Sequence, residues 1–357
     1  MPGTWRLLDT GLRRAADNIA LNRTLLESRA AEESPNTLRF LRFTPCALLG
    51  YHQSAAQELD LDYCEGQGIE VQRRITGGGA IYFDPAQLGW ELYFGRRDLG
   101  VADMEAVSRR LCELAAAGLR RLGLDARFRP RNDIEVGGRK ISGTGGVSEG
   151  EALLFQGTLL LDCDVGKMLR VLRISAQKLS DKAAASARER IVTVRELSGQ
   201  LPPLSEVQQA LAEAFAQGLD IALAPGELSA KEQARFAAAL EEIAQPGWID
   251  LVIKPPSDRS LRHATQKFPG GLISVSVDFD AVAGRIKQVW FSGDFFVTPR
   301  RAVLDLEAVL RNVVLERLED TVAQFFAARE VDCLQLDPAS FARIVRQALA
   351  PVSLAAS

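Results

Sequence analysis

Three consecutive glycines, Gly77, Gly78 and Gly79, lie between two strand-like segments of this 357-residue chain. Neither a helix nor a ladder strand readily holds such a cluster in its interior, because glycine loses much conformational freedom on folding and has no side chain to pack. Ile69 and Val71 open the strand before the cluster, and residues 80–84 and 88–94 are again rich in strand formers. The stretch Arg73-Arg74-Ile75-Thr76-Gly77-Gly78-Gly79-Ala80-Ile81-Tyr82-Phe83-Asp84 therefore reads as a tight connection between strands. Such a connection lets the main chain come close to a ligand, with N–H groups free for an anion. Two adjacent arginines add fixed cationic donors for a carboxylate or phosphate. No Lys-Ser/Thr follows the glycines and the spacing is not GxGxxG, so neither common nucleotide loop is present. A connection that binds nothing is the competing reading, and the paired arginines weigh towards a site.

Around this motif the apolar pattern switches between helical and strand periods. Residues 12–30 read as a helix with Asp9 and Thr10 as capping candidates; strands follow at 38–43 and 46–51, then a helical segment at 57–66. Met104, Val107, Leu111, Leu114, Gly118 and Leu122 recur every three or four residues and predict an amphipathic helix. Residues 153–162 form a mostly apolar strand, expected to be buried on both faces. Helices are expected at 165–173, 205–217 and 229–243. A break at Gln245-Pro246-Gly247 precedes a fresh β pattern, in which Ile273, Val275, Val277 and Phe279 alternate and 286–296 supplies a partner strand. A long helix at 304–328 and a shorter one at 338–350 follow. The chain is too long for one ordinary core. The pattern thus gives an α+β domain at 1–245 and a small α+β domain at 246–357.

A second glycine-marked stretch is Arg131-Asn132-Asp133-Ile134-Glu135-Val136-Gly137-Gly138-Arg139-Lys140-Ile141-Ser142-Gly143. Gly137-Gly138 supplies the positive φ of a two-residue primed turn, so a hairpin is predicted. Pairing then sets Asp133 and Lys140 close together, the lysine able to face a carbonyl or phosphate oxygen and the aspartate able to hold magnesium. An exposed hairpin with a surface ion pair of little worth is the alternative. The neighbouring Gly143, Gly145 and Gly146 weigh against it. A third stretch, Lys178-Leu179-Ser180-Asp181-Lys182-Ala183-Ala184-Ala185-Ser186-Ala187-Arg188-Glu189-Arg190, carries four cations over thirteen residues. It reads equally as a solvated helix face or a loop that closes over a nucleotide.

Composition narrows the chemistry. Five cysteines are scattered without a CxxC pair, which supports neither a disulfide framework nor a zinc site. His52 and His263 are the only histidines, so His-rich metal clusters and Ser-His-Asp catalysis are disfavoured. A net charge of −3 argues against general nucleic-acid binding. No apolar run approaches a membrane span, and the first eighteen residues lack the apolar core of a signal peptide. A cytoplasmic monomer is expected, with neither membrane nor nucleic acid as partner.

Taken in order, RRITGGGAIYFD, NDIEVGGRKISG, LFQGTLLLD and KLSDKAAASARERI resemble the lipoate–protein ligase A family, within the biotin/lipoate ligase superfamily. The likeness runs through nearly the whole chain, with 205–248 and the later segment similar to that family's linker and accessory domain. It implies an α+β fold: a mixed-sheet catalytic domain with a small α+β C-terminal accessory domain. It also implies an enzyme that uses ATP and Mg²⁺ to convert lipoate or octanoate to acyl-AMP. The acyl group then passes to a lysine of a carrier, a glycine-cleavage H-like protein or a 2-oxoacid dehydrogenase E2-like domain. On this resemblance Arg73 and Gly77 to Gly79, with Thr76 and Ala80, match the acyl- and phosphate-binding loop. Lys140 matches the site lysine that contacts the acyl carbonyl and the adenylate phosphate. Asn132 and Asp133 match the pair near nucleotide and metal, with Asp133 the implied magnesium ligand. Ser142, Gly143, Gln156, Gly157 and Thr158 fall in the same matched pieces, as substrate- or nucleotide-binding residues. Lys178, Lys182, Ser186 and Arg188 match the adenylate-binding loop.

Five positions depart from the family pattern. Phe83 and Gln156 stand where the family usually has histidine, Gly145-Gly146 replaces a bulkier segment, and Ala183 replaces a glycine. The implied reaction needs like charges screened when a carboxylate attacks a phosphate, a task for Arg73, Lys140 and Mg²⁺. It needs no protein nucleophile, which suits a chain poor in histidine. Related transferases pass octanoyl groups between carriers through a cysteine thioester, the cysteine lying just upstream of the strand that matches 133–136. The corresponding 127–131 stretch here has none. Cys112 and Cys163 read as small core residues. A binder of lipoyl domains without activity is a further alternative, against which Lys140 and Asp133 argue.

Overall fold

The computed structural model describes residues 3–100, 103–130, 132–173, 188–252, 255 and 260–350. Its first eleven strands are β1 Gly3–Arg13, β2 Thr37–Phe43, β3 Cys46–Leu49, β4 Glu70–Arg73, β5 Ile81–Phe83 and β6 Gln87–Gly95, then β7 Ala126–Arg129, β8 Asp133–Val136, β9 Arg139–Glu149, β10 Ala152–Leu160 and β11 Ile221–Pro225. Eight of them form one mixed sheet, in the order β11-β1-β2-β6-β10-β9-β8-β7. Strand β1 runs parallel to both neighbours, and every other pair is antiparallel. A smaller sheet, β4-β3-β5, lies apart from it.

Alternation along β6 and β10 assigns the faces of the large sheet. Leu88, Trp90, Leu92, Phe94, Phe155 and Leu159 pack with the helices Met104–Arg121 and Leu204–Leu219. Gly157 belongs to this face, where a Cβ would lie 2.2 Å from the Trp90 ring. The helices Ala15–Ala30 and Ala230–Ile243 contribute to a core that includes Tyr93, Val147 and Leu154. Gln87, Gly89 and Glu91 of β6, with Gln156, Thr158 and Leu160 of β10, line an open cavity. Strand β10 is therefore buried on both faces from Ala152 to Phe155, as expected, and opens one face to the cavity from Gln156 onward.

The later residues build a second core. Strands β12 Arg262–Phe268, β13 Gly271–Asp280 and β14 Arg285–Gly293 form an antiparallel sheet. Helices Ala302–Val309, Leu318–Ala327 and Ala339–Leu349 pack on it through Leu306, Val322 and Phe341. β15 Val297–Thr298 and β16 Asp332–Cys333 form a short pair beside it. Trp248, just past residue 245, packs into the earlier core and donates its indole N–H to Arg73 O at 3.0 Å. No helix among the described residues is long and apolar enough to cross a membrane.

Three local expectations change. The helix expected at 12–30 begins at Ala15, and residues 3–13 are strand β1, whose pairing with β2 slips between Asp9 and Leu12. That slip, beside Gly11 at φ 65°, breaks the alternation that would mark a strand. Asp9 and Thr10 do not cap the helix; the Glu70 carboxylate does, accepting from Ala15 N–H at 2.8 Å and Ala16 N–H at 2.9 Å. The 57–66 segment is two short helices, Ala55–Glu58 and Leu61–Gly66, the second capped by Asp60. The long helix at 304–328 breaks where Asn312 adopts φ 61° and donates its N–H to Ile286 O at 2.7 Å.

Arg6 of β1 meets Glu232 of the helix Ala230–Ile243 at 2.7 Å, with side chains 8% and 1% exposed. Burial alone would raise the Glu232 carboxyl, but hydrogen bonds from Arg6, the Ser229 amide and the Ser34 hydroxyl bring it down from 4.5 to about 2. A carboxyl lower in the folded than in the unfolded state contributes stability above pH 4.5, lost as pH falls through about 2. Glu232→Ala strands a buried guanidinium and is expected to cost roughly 3–5 kcal/mol in denaturant unfolding at pH 7. The gap from the parent protein should narrow below pH 4.5.

Candidate active site

Hairpin β8–β9 turns through Gly137 and Gly138, at φ 58° and 78°, as their sequence requires. The pairing slips by one residue between Ile134 and Glu135, so Asp133 stands opposite Gly143 and Glu135 opposite Lys140. Lys140 nonetheless reaches Asp133: Nζ lies 2.7 Å from Oδ1. Gly143 makes room for it, because a Cβ there would sit 2.7 Å from Nζ. Arg129 takes the other Asp133 oxygen at 2.7 Å. The Lys140 peptide is itself fixed, its N–H donating to Arg190 O at 2.8 Å and its carbonyl accepting from Val192 N–H at 2.9 Å.

This pair opens into a cavity of about 410 Å³ on one face of the large sheet. The volume lies within the range of small-molecule sites. Thr76, Gly77, Gly78, Gly79 and Ala80 line it, as do Asn132, Asp133, Lys140, Gly143, Gln156, Gly157 and Thr158. All twelve were candidates from sequence. Thr76 accepts from Gln156 Nε2 at 3.0 Å, and Thr158 Oγ1 accepts from Gly143 N–H at 3.3 Å. The side chain of Asn132 donates to Thr144 O, while Asn132 O accepts from the Thr144 amide at 2.8 Å. The wall is polar towards β8 and β9. It is largely apolar at the far end, where Ile19, Leu41, Leu48, Phe43 and Phe83 gather and the last two rings lie 4.6 Å apart. Phe83, where the resembled family usually has histidine, therefore extends an apolar surface.

Arg73 stands apart from these residues. Its guanidinium is fully buried and donates to the carbonyls of Gly50, Tyr51, Gln53, Trp248 and Ile249. It forms no part of the cavity wall; Arg74 does. Neighbouring residues of an extended chain point to opposite sides, so both arginines cannot face one ligand. Arg74 Nη2 donates to Gly77 O at 3.0 Å and Gly79 O at 2.9 Å, and Nη1 to Leu48 O at 2.9 Å. Burial, helped by Arg73 next door, lowers its pKa to about 10.

Ser142 also stands off the cavity wall. It alternates with Gly143 to the opposite side of β9, is 1% exposed, and its Oγ has no hydrogen-bond partner among the described residues. Arg188 is exposed and stands off the cavity wall. Lys178, Lys182 and Ser186 lie outside the described residues. Wall residues missed from sequence include Asn22 and Glu91 of the first core and, following β14 of the second, Asp294 and Phe296. Gly78 N–H donates to Phe295 O at 3.2 Å. Cβ atoms at Gly78 and Gly145 would each lie 2.8 Å from the Phe296 ring. Gly78 and Gly145 thus leave space for a phenyl group from a remote segment, which no local pattern announces.

Among the described residues no group of three His, Cys, Asp or Glu side chains is placed to hold a metal. Asp133 is one carboxylate on the wall, with each oxygen already paired. One carboxylate together with nucleotide phosphates is a common donor set for magnesium, so Asp133 fits if Lys140 or Arg129 turns to phosphate. None of the five cysteines lines the cavity. Burial raises Cys64 and Cys112 to about 11, Cys163 and Cys333 to about 12, and Cys46 well above its usual value.

Residues 14–216 match the profile of the lipoyl protein ligase A/B catalytic domain. The octanoyltransferase LipM of Kyrpidia tusciae is 32% identical over 64% of this chain and 92% of its own length. Lipoate–protein ligase 1 of Staphylococcus aureus is 26% identical over 86% of this chain and 90% of its own. Among solved structures, the bipartite lipoate protein ligase of Thermoplasma acidophilum, described with its E2 lipoyl domain, superposes with a TM-score of 0.62 at 28% identity, covering 71% of this chain and 99% of that one. Lipoate-protein ligase A bound with ATP gives 0.61 at 27% identity, over 70% and 98%. LipL1 of P. falciparum in complex with lipoate shares the fold across 97% of this chain and 99% of its own, with a TM-score of 0.72 at 17% identity.

Arg73→Met removes the donor to five carbonyls. With buried carbonyls unpaired, a loss of roughly 3 kcal/mol or more is expected in thermal or denaturant unfolding.

Proposed function

The chain belongs to the lipoyl protein ligase A/B family, and from that premise we propose that it is an ATP-dependent ligase. It activates lipoate or octanoate to acyl-AMP and transfers the acyl group to a lysine of a carrier domain. The observation that carries this reading is the wall itself: Lys140 and the glycine loop share one cavity that no cysteine enters.

The apolar end suits a medium-chain tail, and the carboxylate then lies towards Lys140 and the loop 76–80. One carboxylate oxygen attacks the α-phosphorus of ATP, forming the C–O–P anhydride as the bond to pyrophosphate breaks. Lys140 sits where it offsets the charge of attacking acid and phosphate together, in a walled site where such charge counts for more than in water. Arg74 acts one step back, holding the carbonyls of Gly77 and Gly79. Magnesium carried by the nucleotide supplies further charge screening, and Asp133 is the residue that would hold it. In the second half the acceptor amine attacks the acyl carbonyl, AMP leaves with its bonding pair, and Lys140 donates to the developing oxyanion. The ATP-bound and E2-associated ligases to which the chain is similar support both halves. A carrier of the E2 lipoyl or glycine-cleavage H type is the proposed acceptor. The enzyme is proposed to act as a cytoplasmic monomer.

Octanoyl transfer between carriers is the second reading, favoured by the likeness to LipM. It requires a thiol at the acyl carbonyl. Cys112, the one nearest β9, is fully buried against Thr144 Oγ1 at 3.4 Å and has its pKa raised to about 11, so the geometry disfavours it.

Lys140→Ala is expected to lower lipoate-dependent ATP–pyrophosphate exchange by roughly a hundredfold or more, with melting unchanged. A folded variant with all five cysteines replaced should keep its exchange and transfer. Loss of transfer in that variant, together with no exchange in the parent protein, would favour the thioester route instead.

A further inference from the structure

The far end of the cavity is not uniformly apolar. Lys140 is on β9, and two strand spacings away, about 10 Å, strand β6 lies beneath the helix Ala15–Ala30. Asn22 and Glu91 stand in the wall there, beside Ile19 and Leu41, and are only 2% and 3% exposed. Glu91 is fully engaged, accepting from Arg39 Nη1 at 2.9 Å, Tyr93 Oη at 2.6 Å and Asn22 Nδ2 at 2.5 Å. Asn22 Nδ2 gives its other hydrogen to Tyr93 Oη at 2.9 Å. With both amide hydrogens committed, the orientation of the group is fixed. Its Oδ1 has no hydrogen-bond partner among the described residues.

We infer that Asn22 is a specificity-determining residue, selecting a medium-chain acid that carries a hydrogen-bond donor near its far end over one ending in a methyl group. An alkyl tail filling this space expels water and leaves a buried carbonyl oxygen unpaired, which weakens binding. A thiol, as in dihydrolipoate, or a hydroxyl restores the bond. The proposal rests on the cavity being the acid site, and not on whether ATP or a thioester performs the chemistry.

Calorimetric titration of the full chain with octanoate, 8-hydroxyoctanoate and dihydrolipoate tests it without any turnover. The parent protein is expected to bind the two donor-bearing acids about tenfold more tightly than octanoate. Asn22→Leu should bring the ratio to one or reverse it. Ile19→Ala, which enlarges the same wall without touching the amide, should change all three affinities while keeping their ratio, and it serves if the Asn22 variant does not fold. Equal binding by the parent protein, or an unchanged ratio in a folded Asn22→Leu, overturns the inference. Failure of all three acids to bind overturns the acid-site reading as well. Binding in the expected order without ATP–pyrophosphate exchange sinks only the ligase proposal.

Discussion

Two adjacent guanidinium groups, both buried and neither in an ion pair among the described residues, hold the centre of this molecule by gripping main-chain carbonyls on opposite sides of one strand. Arg73 gathers the 50–53 loop and residues 248–249. Arg74 gathers Leu48 with the glycine loop. Desolvation is costly for each, and five and three carbonyls respectively offset it. The cavity exists because this grip orders a glycine-rich segment that has little side-chain packing of its own.

The remaining parts of the site come from far along the chain. Gly143 leaves a place for the Lys140 ammonium, Asp133 holds it, and the 190–192 segment pins its peptide. The second core contributes Asp294 and Phe296 across the glycine loop. An acid lying in this cavity meets an apolar tail region interrupted by one amide, and a cationic head region built on a hairpin. That polarity, apolar to charged along one sheet face, is what the proposed joining of a carboxylic acid to a phosphate draws on.

Much of the fold was legible because its signals are local. The Gly137-Gly138 turn, the helix repeating from Met104 to Leu122 and the alternation from Ile273 to Phe279 each announce themselves within a single short stretch of sequence. Strand β1 was misread because a pairing slip at Asp9–Leu12 spoils its alternation. Its helix cap comes from Glu70, more than fifty residues away. Within the site, glycine clusters pointed to the right loops, yet sequence could not decide which of two neighbouring arginines faces inward. Strand parity decides it, and parity is known only once the register is. The same parity turned Ser142 away. Phe296 and Asn22 reach the cavity through tertiary packing alone, so nothing near them in sequence marks them.

Native mass spectrometry of the chain after incubation with ATP and lipoate, with no carrier present, addresses the central claim directly. Acyl-AMP held non-covalently by the protein, released on denaturation and absent when ATP is omitted, is the result this account predicts. A covalent acyl adduct on one of the cysteines, formed from an acylated carrier without ATP, would contradict it.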